Sequence, residues 1–309
     1  MDKIKTTYIL VIILSVIVSV IYLKQDNSGE LELIFHNQDI LPLKIDEFNT
    51  ECKKIFIYEC NRLAFYPDLT IDVEFRKDVG GDIRGMVYGD STLVNKMTLY
   101  IDSSFSKEKL FGVFAHELGH MLHFSWINSS GGTMISCFDE GFASWLAGKF
   151  YLKWQKKPDF RTLDTPTDQD NYVNLEFIST FKQLSSKKRD VMYYQWACFI
   201  EYLISEFSLQ YVYNFFSYLI TRGVEEQILA KSLQKSMQGA LLAEGKDPID
   251  KYRTQEDIEK SMEDLQKKVA QYRQKSKKLR SEIFNTACIE IFKKDFSELK
   301  NNWLDTIAI

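Results

Sequence analysis

The pattern of apolar and polar positions divides the chain into an apolar leader, a short mixed region and a long helical remainder. Tyr8 to Leu23 is a charge-free apolar run of sixteen residues, with Lys3 and Lys5 before it and Lys24, Asp26 and Glu30 after it. No A-x-A cleavage pattern closes the run and no cysteine near its end offers a site for lipid, so it predicts an uncleaved transmembrane signal anchor over 8–23. The preceding lysines place residues 1–7 in the cytoplasm and the rest, from about Asn27, in the periplasmic or extracellular space. Cleavage after the run would make the product a secreted one.

Residues 24–45 read as a linker and first strand: Asn27-Ser28-Gly29 is linker-like, and Leu31 to Phe35 alternates. The main folded domain is expected over 46–309. Phe48, Cys52, Ile55, Phe56, Cys60 and Leu63 recur at helical spacing between Asp46 and Phe65, and Pro67 ends that segment. Leu69 to Phe75 and Met97 to Ile101 alternate as half-buried strands, with Gly80-Gly81 and Gly85 as punctuation between them. Ser106 is placed to cap a helix whose apolar face is Leu110, Val113, Phe114, Leu118 and Met121. Helices are then predicted over Phe138 to Trp154, Val191 to Ser205 and Tyr211 to Leu219. This order predicts an α+β fold: a small N-terminal mixed sheet followed by a mostly helical C-terminal part.

From Asp250 to Glu282 about half the residues are charged, and neither glycine nor proline interrupts them. Ile258, Met262, Leu265, Val269, Tyr272, Leu279 and Ile283 form a heptad stripe broken by Ser276. Such a helix can lie on its own domain, on a hairpin partner, or form a coiled coil with a second copy or another chain. Amphipathic helix resumes from Ile283 to Trp303.

Hydrophobic residues make up 45% of the 309, ample for a packed core. A formal charge of -4 over 39 basic and 43 acidic residues supplies no basic field for nucleic acid. The five cysteines, an odd number with no C-x-x-C, read as small buried hydrophobes, although a Cys52–Cys60 bridge stays open.

The chemistry concentrates in His116-Glu117-Leu118-Gly119-His120, inside the helix predicted after Ser106. Residues four apart share a helix face, so both imidazoles can reach one ion, while Glu117 points about 100° away, off the metal but near a metal-bound water. A catalytic zinc needs a third protein ligand. His123 continues the face but stands about 10 Å along the axis from His116 and cannot converge. Glu140, twenty residues after His120 at the start of another predicted helix, can do so if Asn128 to Gly132 turns the chain.

His116-Glu117-Leu118-Gly119-His120 followed by Asp139-Glu140-Gly141-Phe142-Ala143 resembles the gluzincin pattern of thermolysin and the aminopeptidase N group. The metzincin variant would need glycine at His123 and histidine at Trp126. The resemblance implies a zincin-like peptidase MA domain from about residue 46 onward, with 250–282 as an insertion. It implies one Zn2+ held by His116, His120 and Glu140, and Glu117 as general base. Tyr193-Tyr194-Gln195-Trp196 is similar to the segment whose tyrosine stabilises the oxyanion, which makes Tyr193 a catalytic candidate with Tyr194 as the alternative; Tyr193 also fits the apolar stripe of its helix. Met97 to Ile101 resembles the zincin edge strand. Two departures stand out: Ser144 occupies the place of an acid that supports a ligand histidine, with Asp139 as a possible substitute, and the G-x-M-x-N exopeptidase motif is missing. The resulting expectation is a membrane-anchored zinc metallopeptidase, an endopeptidase acting on peptide or protein substrates. The competing expectation is an anchored scaffold with a degenerate zincin domain that binds partners through its heptad helix.

Overall fold

The computed structural model describes residues 29–78, 84–88, 95–102, 105–129, 135–163, 175, 184–223 and 255–307. The expected cytoplasmic N-terminus and anchor lie outside these residues, as do 250–254 at the start of the charged segment. Among the described residues no helix is long and apolar enough to cross a membrane.

The architecture is α+β. Strand β1 (Leu31–His36) and helix α1 (Ile45–Leu63) precede β2 (Leu69–Lys77), β3 (Gly85–Tyr88) and β4 (Asn95–Ile101). The sheet runs β1-β2-β4-β3, with β1, β2 and β4 parallel and β3 antiparallel to β4. Helices α2 (Lys107–Trp126), α3 (Ser136–Ala147), α4 (Lys149–Gln155) and α5 (Ser186–Phe207) follow. Residues 209–223 form α6, and α7 (Gln255–Phe292) and α8 (Phe296–Ile307) complete the described chain.

Two apolar centres hold these elements together. In the first, Phe48 of α1 meets Phe35 and Phe75 of the sheet and Phe111 and Phe114 of α2, at ring separations of 5.5 to 5.8 Å. In the second, Phe138 of α3 meets Trp196, Phe215, Phe216 and Phe284, which joins α3 to α5, α6 and α7. Helix α2 runs between the two, buried almost all round from Leu110 to His123. A helix enclosed on all sides needs an apolar surface at nearly every position, so its polar residues must have specific partners or roles.

Three expectations change. The strand Met97 to Ile101 is not an edge: as part of β4 it pairs with β2 on one side and β3 on the other. Among the described residues the sheet's edges are β1 and β3, and the four residues of β3 are too few for alternation to register. The helix expected from Phe138 to Trp154 is two helices, because Gly148 adopts φ 51 and ψ -122, a conformation for which glycine is suited. No boundary falls at Glu282. Helix α7 continues for 38 residues to Phe292, and the chain turns at Lys293 in a left-handed conformation before α8. Its docked end buries Ile283, Phe284, Ala287, Cys288 and Phe292, whereas Lys260, Glu263, Asp264, Lys267 and Lys268 are exposed. The cysteines are as expected: all five are buried, and all are free. Cys52 and Cys60 lie on the same helix about 12 Å apart along its axis, so they cannot bridge.

One polar residue in the first centre stands out. Glu59 of α1 is 0% exposed, and neither carboxylate oxygen has a hydrogen-bond partner. Burial pushes its pKa well above the ordinary value of 4.5, with Arg62 opposing the shift. The folded state therefore holds a proton that the unfolded chain releases above about 4.5, and stability falls as pH rises from there towards the raised folded value. Glu59→Gln is expected to remove a slope of about 1.4 kcal/mol per pH unit across that window, measured by urea unfolding at stepped pH. An unchanged slope would show that Glu59 is ionised in the fold.

Candidate metal centre

Helix α2 begins where Ser106 Oγ accepts the Lys109 N–H at 3.2 Å, and this cap sets which residues face inward three turns later. His116, Glu117 and His120 are all buried in its middle. Helix α3 crosses α2 at Gly119. A Cβ built there would stand 2.9 Å from the carbonyl oxygen of Ala143, so only a residue without a side chain allows this approach. Gly141 plays the same part on the other face of α3, where the Trp196 side chain of α5 fills the space a Cβ would take.

The crossing delivers Glu140 to the two imidazoles. Its Oε2 lies 3.0 Å from His116 Nε2 and 3.2 Å from His120 Nε2. Each residue offers one ligand atom, and all three lie within 4.8 Å of one another. Zinc bonds of about 2.0–2.1 Å in a tetrahedron imply ligand separations of about 3.3 Å, so the group fits a metal ion with little adjustment. His116, His120 and Glu140 can bind a metal ion.

The surroundings of the two histidines differ. Ser144, one turn beyond Glu140, places its Oγ 3.2 Å from His116 Nδ1. In the tautomer that leaves Nε2 free for a metal, Nδ1–H donates to this hydroxyl and fixes the ring. The hydroxyl thus makes the contact for which the resemblance implied an acid. His120 Nδ1 is buried without a partner. Asp139, also buried, acts on His120 through its charge.

The charges are strongly coupled. Burial works against a protonated His120, but the Glu140 carboxylate and its hydrogen bond prevail and push the pKa up to about 9. Burial likewise opposes a charged Glu140, yet the two imidazoles hold it well below the usual carboxylate range. Glu117 has its pKa raised by burial, against the pull of His116 and His120.

The remaining candidates separate cleanly. The Tyr193 ring lies 5.8 Å from that of His116, at 21° to it, so Tyr193 stands at the site. Tyr194 does not: its hydroxyl is held between the carbonyls of Asp159 and Thr162, at 2.7 and 2.5 Å. His123 is away from the ligand group, caged by Phe124, Phe142 and Phe216, and neither nitrogen has a partner. Burial and the charge of His120 depress its pKa well below 6.5, which keeps it neutral.

Sequence reasoning missed two contributors. Tyr151 of α4 places its ring 6.2 Å from that of His116, and β3 packs against α2 beside Glu117. The signal for β3 was present as Gly85 opening the apolar Met86-Val87-Tyr88, but it read as punctuation. No family model matches the chain, and no curated protein or solved structure is significantly similar to it.

Because His120 carries a proton up to about pH 9, metal binding near pH 7 must expel it. Calorimetry in two buffers of different ionisation heat is expected to give about one proton released per metal, and affinity is expected to rise about tenfold per pH unit below 9. Ser144→Ala is expected to weaken the metal by about 10- to 100-fold with the stoichiometry unchanged. Equal affinity in the parent and this variant would remove Ser144 from the site.

Proposed function

We propose that this chain is a zinc metallopeptidase of the gluzincin type in a zincin-like fold, anchored through 8–23 with its catalytic part outside the cytoplasm. One observation carries the reading: His116 Nε2, His120 Nε2 and Glu140 Oε2 converge on one point beside the carboxylate of Glu117. Two imidazoles and one carboxylate, with a fourth position for water, are the donor set of catalytic rather than structural zinc.

A bound zinc ion would supply a Lewis acid and a water acidic enough to ionise near neutrality. The protein residues do the rest. Glu117 takes the proton of the attacking water and hands it to the leaving amine. Burial raises its pKa against the pull of the two imidazoles, which makes the carboxylate a better acceptor of that proton.

Tyr193 is suited to the oxyanion that develops on the scissile carbonyl. Burial and the charges of Glu140 and Glu117 raise its pKa, so the phenol keeps its proton and remains a donor. The edge strand β3, which runs beside Glu117, supports an extended peptide as substrate, because a strand at the end of a sheet can take a further strand alongside it. The missing G-x-M-x-N motif favours cleavage within a chain over removal of its first residue.

Glu117→Gln is expected to keep one zinc per chain and to lose about 10²- to 10⁴-fold in kcat on an unstructured protein substrate. Turnover equal to the parent's would end the reading, as would a purified parent that binds no metal. Tyr193→Phe is expected to lower kcat by about 10²- to 10³-fold with KM near the parent value, while Tyr194→Phe acts on stability instead.

A further inference from the structure

The first residue of β3 lies directly over the proposed base. A Cβ built on Gly85 would stand 2.5 Å from Glu117 Oε1, 2.6 Å from its Cγ and 2.7 Å from its Cδ, closer than real Cβ contacts come. Gly85 has no positive φ, so its backbone conformation does not call for glycine. The missing side chain does: a methyl group at 85 and the Glu117 carboxylate compete for the same volume.

The strand cannot simply retreat. Gly85 is in register with Leu99 on β4, and the Tyr100 N–H donates to the Arg84 carbonyl at 2.9 Å. The Arg84 guanidinium is held by Asp190 on α5, with Nη1 at 3.1 and 3.2 Å from the two carboxylate oxygens, and it lies over the Trp154 ring of α4 at 5.4 Å. Asp190 is one turn before Tyr193, so the ion pair links the start of β3 to the helix that carries the phenol.

We propose that Gly85 is a positioning residue of this site: its bare backbone leaves Glu117 room to face the ligand group, and the Arg84–Asp190 pair keeps the strand at that distance. What Glu117 does there rests on the peptidase reading; the competition for space does not. The atoms in the way, Oε1, Cγ and Cδ, belong to the Glu117 side chain rather than to backbone, so relief requires that side chain to rotate from its base. An alanine at 85 therefore displaces the Glu117 carboxylate from its place.

The test is a double-mutant cycle on the zinc-loaded full chain, read by the affinity for acetohydroxamate, a metal chelator with one acidic proton that a carboxylate can accept. Gly85→Ala and Glu117→Gln are each expected to weaken binding about tenfold, the loss of one charge-assisted hydrogen bond, and the double variant is expected to be no weaker than the poorer single one. Parent-like affinity in folded Gly85→Ala overturns the proposal, as do losses that multiply in the double variant. If Gly85→Ala does not fold, Glu117→Ala in the same chain is expected to restore folding by emptying the contested space; a double variant that stays unfolded overturns it. Peptide turnover measured on the same proteins separates the two ideas, since an inactive parent counts against the peptidase reading while the chelator cycle still decides the role of Gly85.

Discussion

The close crossing of α2 and α3 at Gly119 and Ala143 is the constraint from which the site follows. Two helices with ordinary side chains at the contact sit roughly 8–10 Å apart axis to axis. A glycine on one and an alanine on the other let the backbones approach until a Cβ at 119 has no room against Ala143. At that separation a glutamate one turn before the contact reaches imidazoles above and below it on the facing helix. The same geometry puts Ser144 behind His116. Gly141 lets α5 press on α3 from the opposite side, so the ligand-bearing helix is held between two neighbours.

That packing encloses charge, and the protein treats its buried charges in two ways. At the ligand group, acid and imidazole are adjacent and stabilise each other, which offsets part of the cost of removing them from water. At Glu59 burial outweighs the pull of Arg62, neither carboxylate oxygen has a hydrogen-bond partner, and the pKa is raised instead. His123 is the basic counterpart, neutral among three aromatic rings only one turn from His120. One helix thus carries a histidine in each regime, and the difference lies in what the adjoining helix presents: Glu140 to His120, Phe142 to His123.

Much of this was legible in the residues because the informative spacings are local. Four residues within a helix place His116 and His120 together, and helical periodicity located α1, α2 and α5 to within a few residues. The long-range facts were harder to read. Which strand forms the edge depends on β3, whose four residues are too short for any period to show. The break at Gly148 depends on a tertiary neighbour, the Tyr58 hydroxyl, that no local window contains. Tyr193 and Tyr194 are adjacent and both aromatic; only the position of the 159–162 segment separates the residue beside His116 from the one tied to two carbonyls. The whole of α7 was visible as helix, but its true end at Phe292 is set by where its apolar residues meet Phe138, Phe207 and Phe215, not by where its charges thin out.

The corner at Gly148 has a mechanical consequence. A single residue joins α3 to α4, and the Tyr58 hydroxyl of α1 accepts the Lys149 N–H at 3.3 Å just beyond it. That contact and the Gly148 corner together set the direction in which α4 leaves α3. Tyr151 and Glu140 flank the same imidazole from these two helices, so the corner at Gly148 sets their spacing across it.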